Sequence, residues 1–209
     1  MGFLTENWDS YYQCIRNANI LLENIPTSGL SASEKALFEA EARFLRGVSY
    51  HKLYFFFGTV PLRTSTTQEL RLPRASEEEI KAFIVSELKY AADNLPAPGT
   101  EPQKHRAHKA AAVGYLVKFY LNTKNWNEAA NASSQFLNTF KGYSLFANYK
   151  DLFKVENENN SEYIWVRPAI PSSSRITANS WSNVSFPDNF RSAPEIGLEF
   201  KSTWLNWPN

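Results

Sequence analysis

The stretch Glu41–Leu62, EARFLRGVSYHKLYFFFGTVPL, runs as an amphipathic helix into three consecutive phenylalanines, a glycine and a Val-Pro-Leu turn. Traced back to Ser31, the helix has two apolar faces. Leu37, Ala40, Phe44, Val48 and Phe55 form one, and Phe38, Ala42, Leu45, Leu53 and Phe56 the other; only a narrow strip with Glu39, Arg43 and Arg46 is polar. A helix apolar on two sides needs a neighbour on each, which places it inside a helical stack. Gly47 lets a partner helix come close. Gly58 suits a left-handed position after the helix end, and Pro61 disfavours helix at Val60, so the chain turns there. The aromatic residues up to Phe56 read as core, packed from both sides, with Phe57 or Tyr54 as the candidate to reach a partner's surface.

The same period extends outward in both directions. Trp8, Tyr11, Tyr12, Ile15, Ala18, Leu22 and Ile25 recur at spacings of three and four and predict a helix from about Asn7 to Asn24, stopped by Pro26 and Gly29. Ser31 with Glu34, and Ser76 with Glu79, are capping boxes that open the second and third helices; the third ends at Leu95-Pro96. APGTEPQKHR reads as a loop. A fourth helix is predicted from about Ala107 to Asn122, then a tight turn at Thr123–Asn125 with Asn125 as N-cap, then a fifth helix carrying Trp126, Ala129, Phe136 and Leu137. Tyr120 and Ala129 across that turn, with Phe136 beyond, match the tetratricopeptide spacing. The fold class is therefore mainly α, a tetratricopeptide-like stack. After Phe140 the helical period fades. YSLFANYKDLF and SEYIWVRP read as short extended pieces, with alternation at Tyr163–Arg167 predicting a strand. Two segments follow: a helical domain over residues 1–140 and an irregular one with short strands over 141–209.

Bulk properties narrow the function classes. The 209 residues suffice for one large domain, and 22 Lys plus Arg nearly balance 21 Asp plus Glu, which argues against a phosphate-tracking nucleic-acid groove. The single cysteine, Cys14, forms no internal disulfide and no thiolate metal cage. No apolar run reaches the length of about 18–20 residues that a spanning helix needs, and MGFLTENWDS lacks the regions of a signal peptide.

The succession WDSYYQCIRNANILLENI, EARFLRGVSYHKLYFFFGTVPL, LKYAADNLP, HRAHKAAAVGYLVKFYLNTKNWNEAANASSQFLN and YSLFANYKDLFKVENENNSEYIWV resembles the SusD/RagB family of outer-membrane nutrient-binding lipoproteins. The resemblance covers about Asn7 to Val166. It implies a tetratricopeptide-like scaffold, a more irregular ligand-binding part that begins in 141–209, and a non-enzymatic, outward-facing subunit. That subunit captures oligosaccharide and delivers it to a SusC-like TonB-dependent transporter, touching the membrane only through a lipid anchor. Family members are usually about twice as long or more, so the resemblance implies that this chain is an N-terminal part lacking the leader and its lipobox cysteine. The alternative reading is a tetratricopeptide-type protein-interaction scaffold that binds no carbohydrate.

Few residues offer chemistry of their own. His105 and His108 stand three apart with only His51 besides, so they read as a solvated helix start rather than zinc ligands. Glu77, Glu78 and Glu79 read as first-turn charges complementing the helix dipole rather than a glycosidase pair. No nucleotide-binding or nucleophile-elbow motif occurs, and neither metal nor cofactor is called for. Trp8 and Trp126 lie on apolar helix faces and read as core. Trp181, Trp204 and Trp207 lie among polar residues instead. With Arg175 and Asn179 as donors beside Trp181, they are the candidate carbohydrate-binding residues: a flat ring stacks on a sugar face while side-chain donors reach hydroxyls. The competing reading is that these rings fill gaps beneath long loops.

Overall fold

A computed structural model of the protein describes residues 3–69, 71–157 and 159–166, and the backbone of one strand pair further on. Five helices follow in order: α1 Phe3–Asn24, α2 Ala32–Phe57, α3 Glu77–Asn94, α4 Lys109–Asn122 and α5 Trp126–Thr139. Each packs on the next in chain order, the arrangement of a helical-hairpin stack. The chain divides into two compact units, Met1–Val166 and Arg167–Asn209, and the expected boundary after residue 140 falls inside the first. In the second unit Ser192–Ala193 and Leu198–Glu199 pair antiparallel, as β1 and β2.

Both capping boxes form. Ser31 and Ser76 accept from the amides of Glu34 and Glu79, whose carboxylates return to the serine amides at 2.9 and 2.8 Å. Gly58 takes φ 69° as the chain leaves α2, and its amide donates to the Tyr54 carbonyl at 2.9 Å. The larger of two core clusters is centred on Phe44, Tyr50, Leu53, Ile84, Leu88 and Phe119, all fully buried. Each such side chain contributes about 1.5–3 kcal/mol of burial free energy. Tyr120 and Ala129 are both buried in that cluster, as the tetratricopeptide spacing requires.

Several expectations need correction. The strip Glu39–Arg43–Arg46 does not simply face water. Arg46 is buried, and its Nε donates to Glu87 Oε2 at 2.6 Å, while Arg43 Nε donates to Oε1 of the same carboxylate at 2.9 Å. Glu87 is 1% exposed. The polar strip is thus a buried clamp between α2 and α3. Phe55, Phe56 and Leu45 are exposed instead of packed. Phe57 and Tyr54 are half-buried against Trp8 and Phe119. Trp126, expected in the core, is 61% exposed at the first turn of α5. Asn125 stands at the N-cap of α5 without a side-chain capping bond.

Helix α4 starts at Lys109, and His108 caps it: the buried ring's Nδ1 accepts from the Ala111 amide at 3.2 Å. That histidine is not part of a solvated helix start. Residues 151–153 and 155–157 form single 3₁₀ turns, and no strand runs through 163–166. The Trp165 indole instead donates to the His105 carbonyl at 3.0 Å and meets Phe44 edge-on at 5.2 Å. The half-buried indole, not sheet pairing, anchors that segment.

Three expected outcomes follow from this packing. A Cβ placed on Gly47 would lie 3.0 Å from Glu87 Cβ and 3.2 Å from Leu88 Cδ2, and the clamp prevents Glu87 from moving away. Gly47→Leu therefore costs about 1–3 kcal/mol by overpacking, against a helix-propensity gain below about 1 kcal/mol, and lowers the melting temperature. Glu87→Ala strands the buried Arg46 charge and destabilises by about 3–5 kcal/mol in a urea titration.

Burial, reinforced by Lys52 and Lys118, lowers His51 from 6.5 to about 4. The folded ring stays neutral while the unfolded chain takes up a proton. Stability is therefore level above pH 6.5 and falls by up to roughly 3 kcal/mol toward pH 4. Melting temperatures measured between these values should drop for the parent chain and drop less for His51→Gln.

Candidate functional site

A cleft of about 700 Å³ lies between the first half of α1 and the loop after Val60. This is within the range of about 300–1,000 Å³ typical of small-molecule sites. The helix supplies Trp8, Tyr12, Arg16 and Asn19, which recur at four and three residues and so share one face. The loop supplies Arg63, Ser65, Thr66, Gln68 and Arg71. A second hollow, beside His108 and Trp165, holds only about 160 Å³.

The loop is fastened at several points. Its ends are joined where the Ala75 amide donates to the Val60 carbonyl at 3.1 Å. The Glu23 carboxylate of α1 accepts from Ser65 Oγ at 2.7 Å, from the Thr66 amide at 2.8 Å and from the Thr66 hydroxyl. The Thr66 and Ser65 donors hold that carboxyl below its usual range. Gln68 Oε1 accepts the amides of Thr64 and Ser65 at 2.8 and 3.1 Å. Tyr12 donates to the Pro61 carbonyl at 2.8 Å, and burial raises its hydroxyl well above the ordinary tyrosine range, so it remains a donor. Tyr50 donates to the Arg63 carbonyl at 3.0 Å and accepts the Arg63 amide at 2.6 Å, with its own hydroxyl pushed up to about 12 mainly by burial.

Asn19 ties the cleft to the core. Its Nδ2 donates to the Arg63 carbonyl at 3.2 Å, and its Oδ1 accepts from Arg46 Nη1 at 2.7 Å. The ring of Trp8 is braced by Tyr12 at 4.9 Å and by the edge of Phe57 at 5.0 Å. A braced aromatic surface beside amide, hydroxyl and guanidinium groups is chemistry suited to a polyhydroxylated ligand.

The candidate residues Arg175, Asn179, Trp181, Trp204 and Trp207 lie outside the described residues. Sequence reading missed Arg16, Arg63 and Arg71. The polar run Arg63-Thr-Ser-Thr-Thr-Gln68 directly after the Val-Pro-Leu turn is the signal that marks the loop. Among the described residues no three His, Cys, Asp or Glu side chains gather as a metal site.

A SusD-like family described as starch-binding and associating with the outer membrane matches residues 3–121. The chain belongs to this SusD-like family. SusD-like protein P25 of Formosa agariphila is 33% identical over 167 residues, covering 78% of this chain and 31% of that protein. A laminarin-binding SusD-like protein of known structure superposes with a TM-score of 0.71 at 31% identity, over 76% of this chain and 36% of that one. A protein solved with xylogluco-oligosaccharide gives 0.71 at 28% identity, over 85% and 38%. The chain thus spans 31–38% of the length of these SusD-like relatives and solved neighbours. Their likeness extends over the α-helical, tetratricopeptide-like scaffold. Among the described residues no helix is long and apolar enough to cross a membrane.

Proposed function

We propose that this SusD-like chain serves in a surface glycan-binding subunit, which captures oligosaccharide at the outer membrane and hands it to a SusC-like TonB-dependent transporter. The observation that carries the reading is the scaffold shared with a starch-binding family and with solved proteins that bind laminarin or hold xylogluco-oligosaccharide. The α1–loop cleft offers one ligand surface. Trp181 with Arg175 and Asn179, and Trp204 and Trp207, offer further ring and donor contacts in the irregular segment beginning at residue 141.

The proposed role is binding without catalysis. The carboxyls of Glu23, Glu34, Glu77 and Glu79 are all held below their usual range by hydrogen bonds, the opposite of what a general acid requires. Glu77 meets Lys81 at 2.5 Å and Tyr54 at 2.9 Å, and Glu79 is occupied by its capping box.

The test is a titration of the chain with laminarin, xyloglucan and starch oligosaccharides, followed by tryptophan fluorescence and calorimetry. Binding should be saturable and should leave each oligosaccharide uncleaved. Trp181→Ala should weaken it by roughly 1–3 kcal/mol, the scale of a ring stacked on a planar partner, with little change in melting temperature. Absence of binding to every glycan by a chain that melts cooperatively would overturn the reading in favour of a protein-interaction scaffold.

A further inference from the structure

We propose that the α1–loop cleft takes an acidic oligosaccharide, one bearing carboxylate or sulfate groups. This rests on the glycan-binding reading and adds the charge class of the sugar. Three guanidinium groups, those of Arg16, Arg63 and Arg71, line the cleft, and Asp9 is the one carboxylate among the described lining residues. The whole chain carries a net charge of only +1, so this excess is local.

The arginines differ in how they are held. Arg63 donates from Nη1 to the Glu69 carbonyl at 3.0 Å, and its backbone is fixed by Tyr50 and Asn19. Arg16 and Arg71 are exposed, and among the described residues neither has a hydrogen-bond or ion-pair partner. The Glu23 carboxylate is engaged by Ser65 and Thr66. Like charges gathered around one concavity repel one another, and an anion entering it relieves that repulsion.

A planar guanidinium fork accepts a carboxylate or a sulfate through two parallel hydrogen bonds, which sugar hydroxyls alone do not match in strength. Over the eight residues from Trp8 to Arg16 the helix rises roughly 12 Å, a spacing between attachment points that suits an oligomer with an acidic group displaced from the stacked unit. A nucleic acid is disfavoured because the basic groups occupy one cleft rather than a stripe along the surface.

The experiment titrates the whole chain with four oligosaccharides of similar length: an oligogalacturonide, its methyl-esterified form, a sulfated carrageenan fragment and a neutral laminarin fragment. A short single-stranded DNA serves as a non-sugar polyanion. The oligogalacturonide or the carrageenan fragment should bind about tenfold or more tightly than the esterified form, a difference near 1.4 kcal/mol. That affinity should fall as salt rises from about 50 to about 500 mM. The preferred acid tells carboxylate from sulfate recognition.

The double variant Arg16→Gln, Arg71→Gln should lose about tenfold or more toward the acidic sugar at an unchanged melting temperature. Equal binding of the acidic and esterified forms, or equal binding by the double variant, would overturn the proposal. DNA binding as tight as that of the acidic sugar would overturn it too. If laminarin binds and neither acidic sugar does, the charge inference fails while the glycan reading stands. If no sugar binds, both fail.

Discussion

The buried carboxylate of Glu87 is the constraint on which the first unit is built. An ionised carboxylate taken out of water costs several kcal/mol unless its oxygens are paired. Here each oxygen has a separate cation, Arg46 on one side and Arg43 on the other, at 2.6 and 2.9 Å. Arg43 also lies over the Tyr90 ring, with its guanidinium carbon 3.7 Å from the centroid, and Arg46 lies over Phe83 at 5.3 Å. The guanidiniums are therefore oriented by rings of α3 as well as by its carboxylate. An apolar pair of similar volume could match this arrangement in stability. It would not fix the rotation and register of α2 on α3 as narrowly, because hydrocarbon surfaces tolerate sliding and a two-pronged ion contact does not. Gly47 completes the constraint: the helices meet so closely at Glu87 that a Cβ there would sit 3.0 Å from Glu87 Cβ.

From that clamp a continuous set of hydrogen bonds runs to the cleft. Arg46 holds Asn19 of α1, Asn19 holds the Arg63 carbonyl, and Tyr50 of α2 holds the same residue by carbonyl and amide. The loop backbone is thus an extension of the core, not an appendage on it. This bears directly on binding, since ordering a loop upon ligand entry subtracts from affinity. A loop whose amides are already taken by Glu23, Gln68 and Tyr50 has little left to order.

The helical half of the fold was legible because its signals are local. Capping boxes at Ser31 and Ser76, the stop at Leu95-Pro96 and the Tyr120–Ala129 spacing depend on neighbours in sequence, and all four appear where expected. The errors share a cause. Arg46, Glu87 and His108 carry polar side chains that sequence patterning assigns to solvent, and their burial depends on partners 27 to 44 residues away or on a neighbouring turn. Trp126 erred the other way: its apolar face exists, but among the described residues the indole is left 61% exposed at the first turn of α5. The alternation of residue types at 163–166 mimics a strand over a few residues, but Ile164, Trp165 and Val166 are all half-buried. The cleft was the least legible part. It depends on a helix face and a loop about fifty residues later in the chain meeting side by side, and a loop closed by backbone contacts has no period to detect.

Stability and function therefore separate by position within a few ångströms. The amides of residues 63–67 are each bonded, while the side chains of Arg16 and Arg71 have no hydrogen-bond or ion-pair partner among the described residues. As exposed like charges, those two cations contribute little to the fold or oppose it slightly. The oxygens of Glu23 are directed to Ser65 and Thr66. The Glu23 carboxylate thus shapes the loop, and Asp9 is the one carboxylate set against three guanidiniums among the described lining residues. A surface optimised only for stability would have paired them, and departures from local consistency of this kind are expected where a ligand completes the pairing.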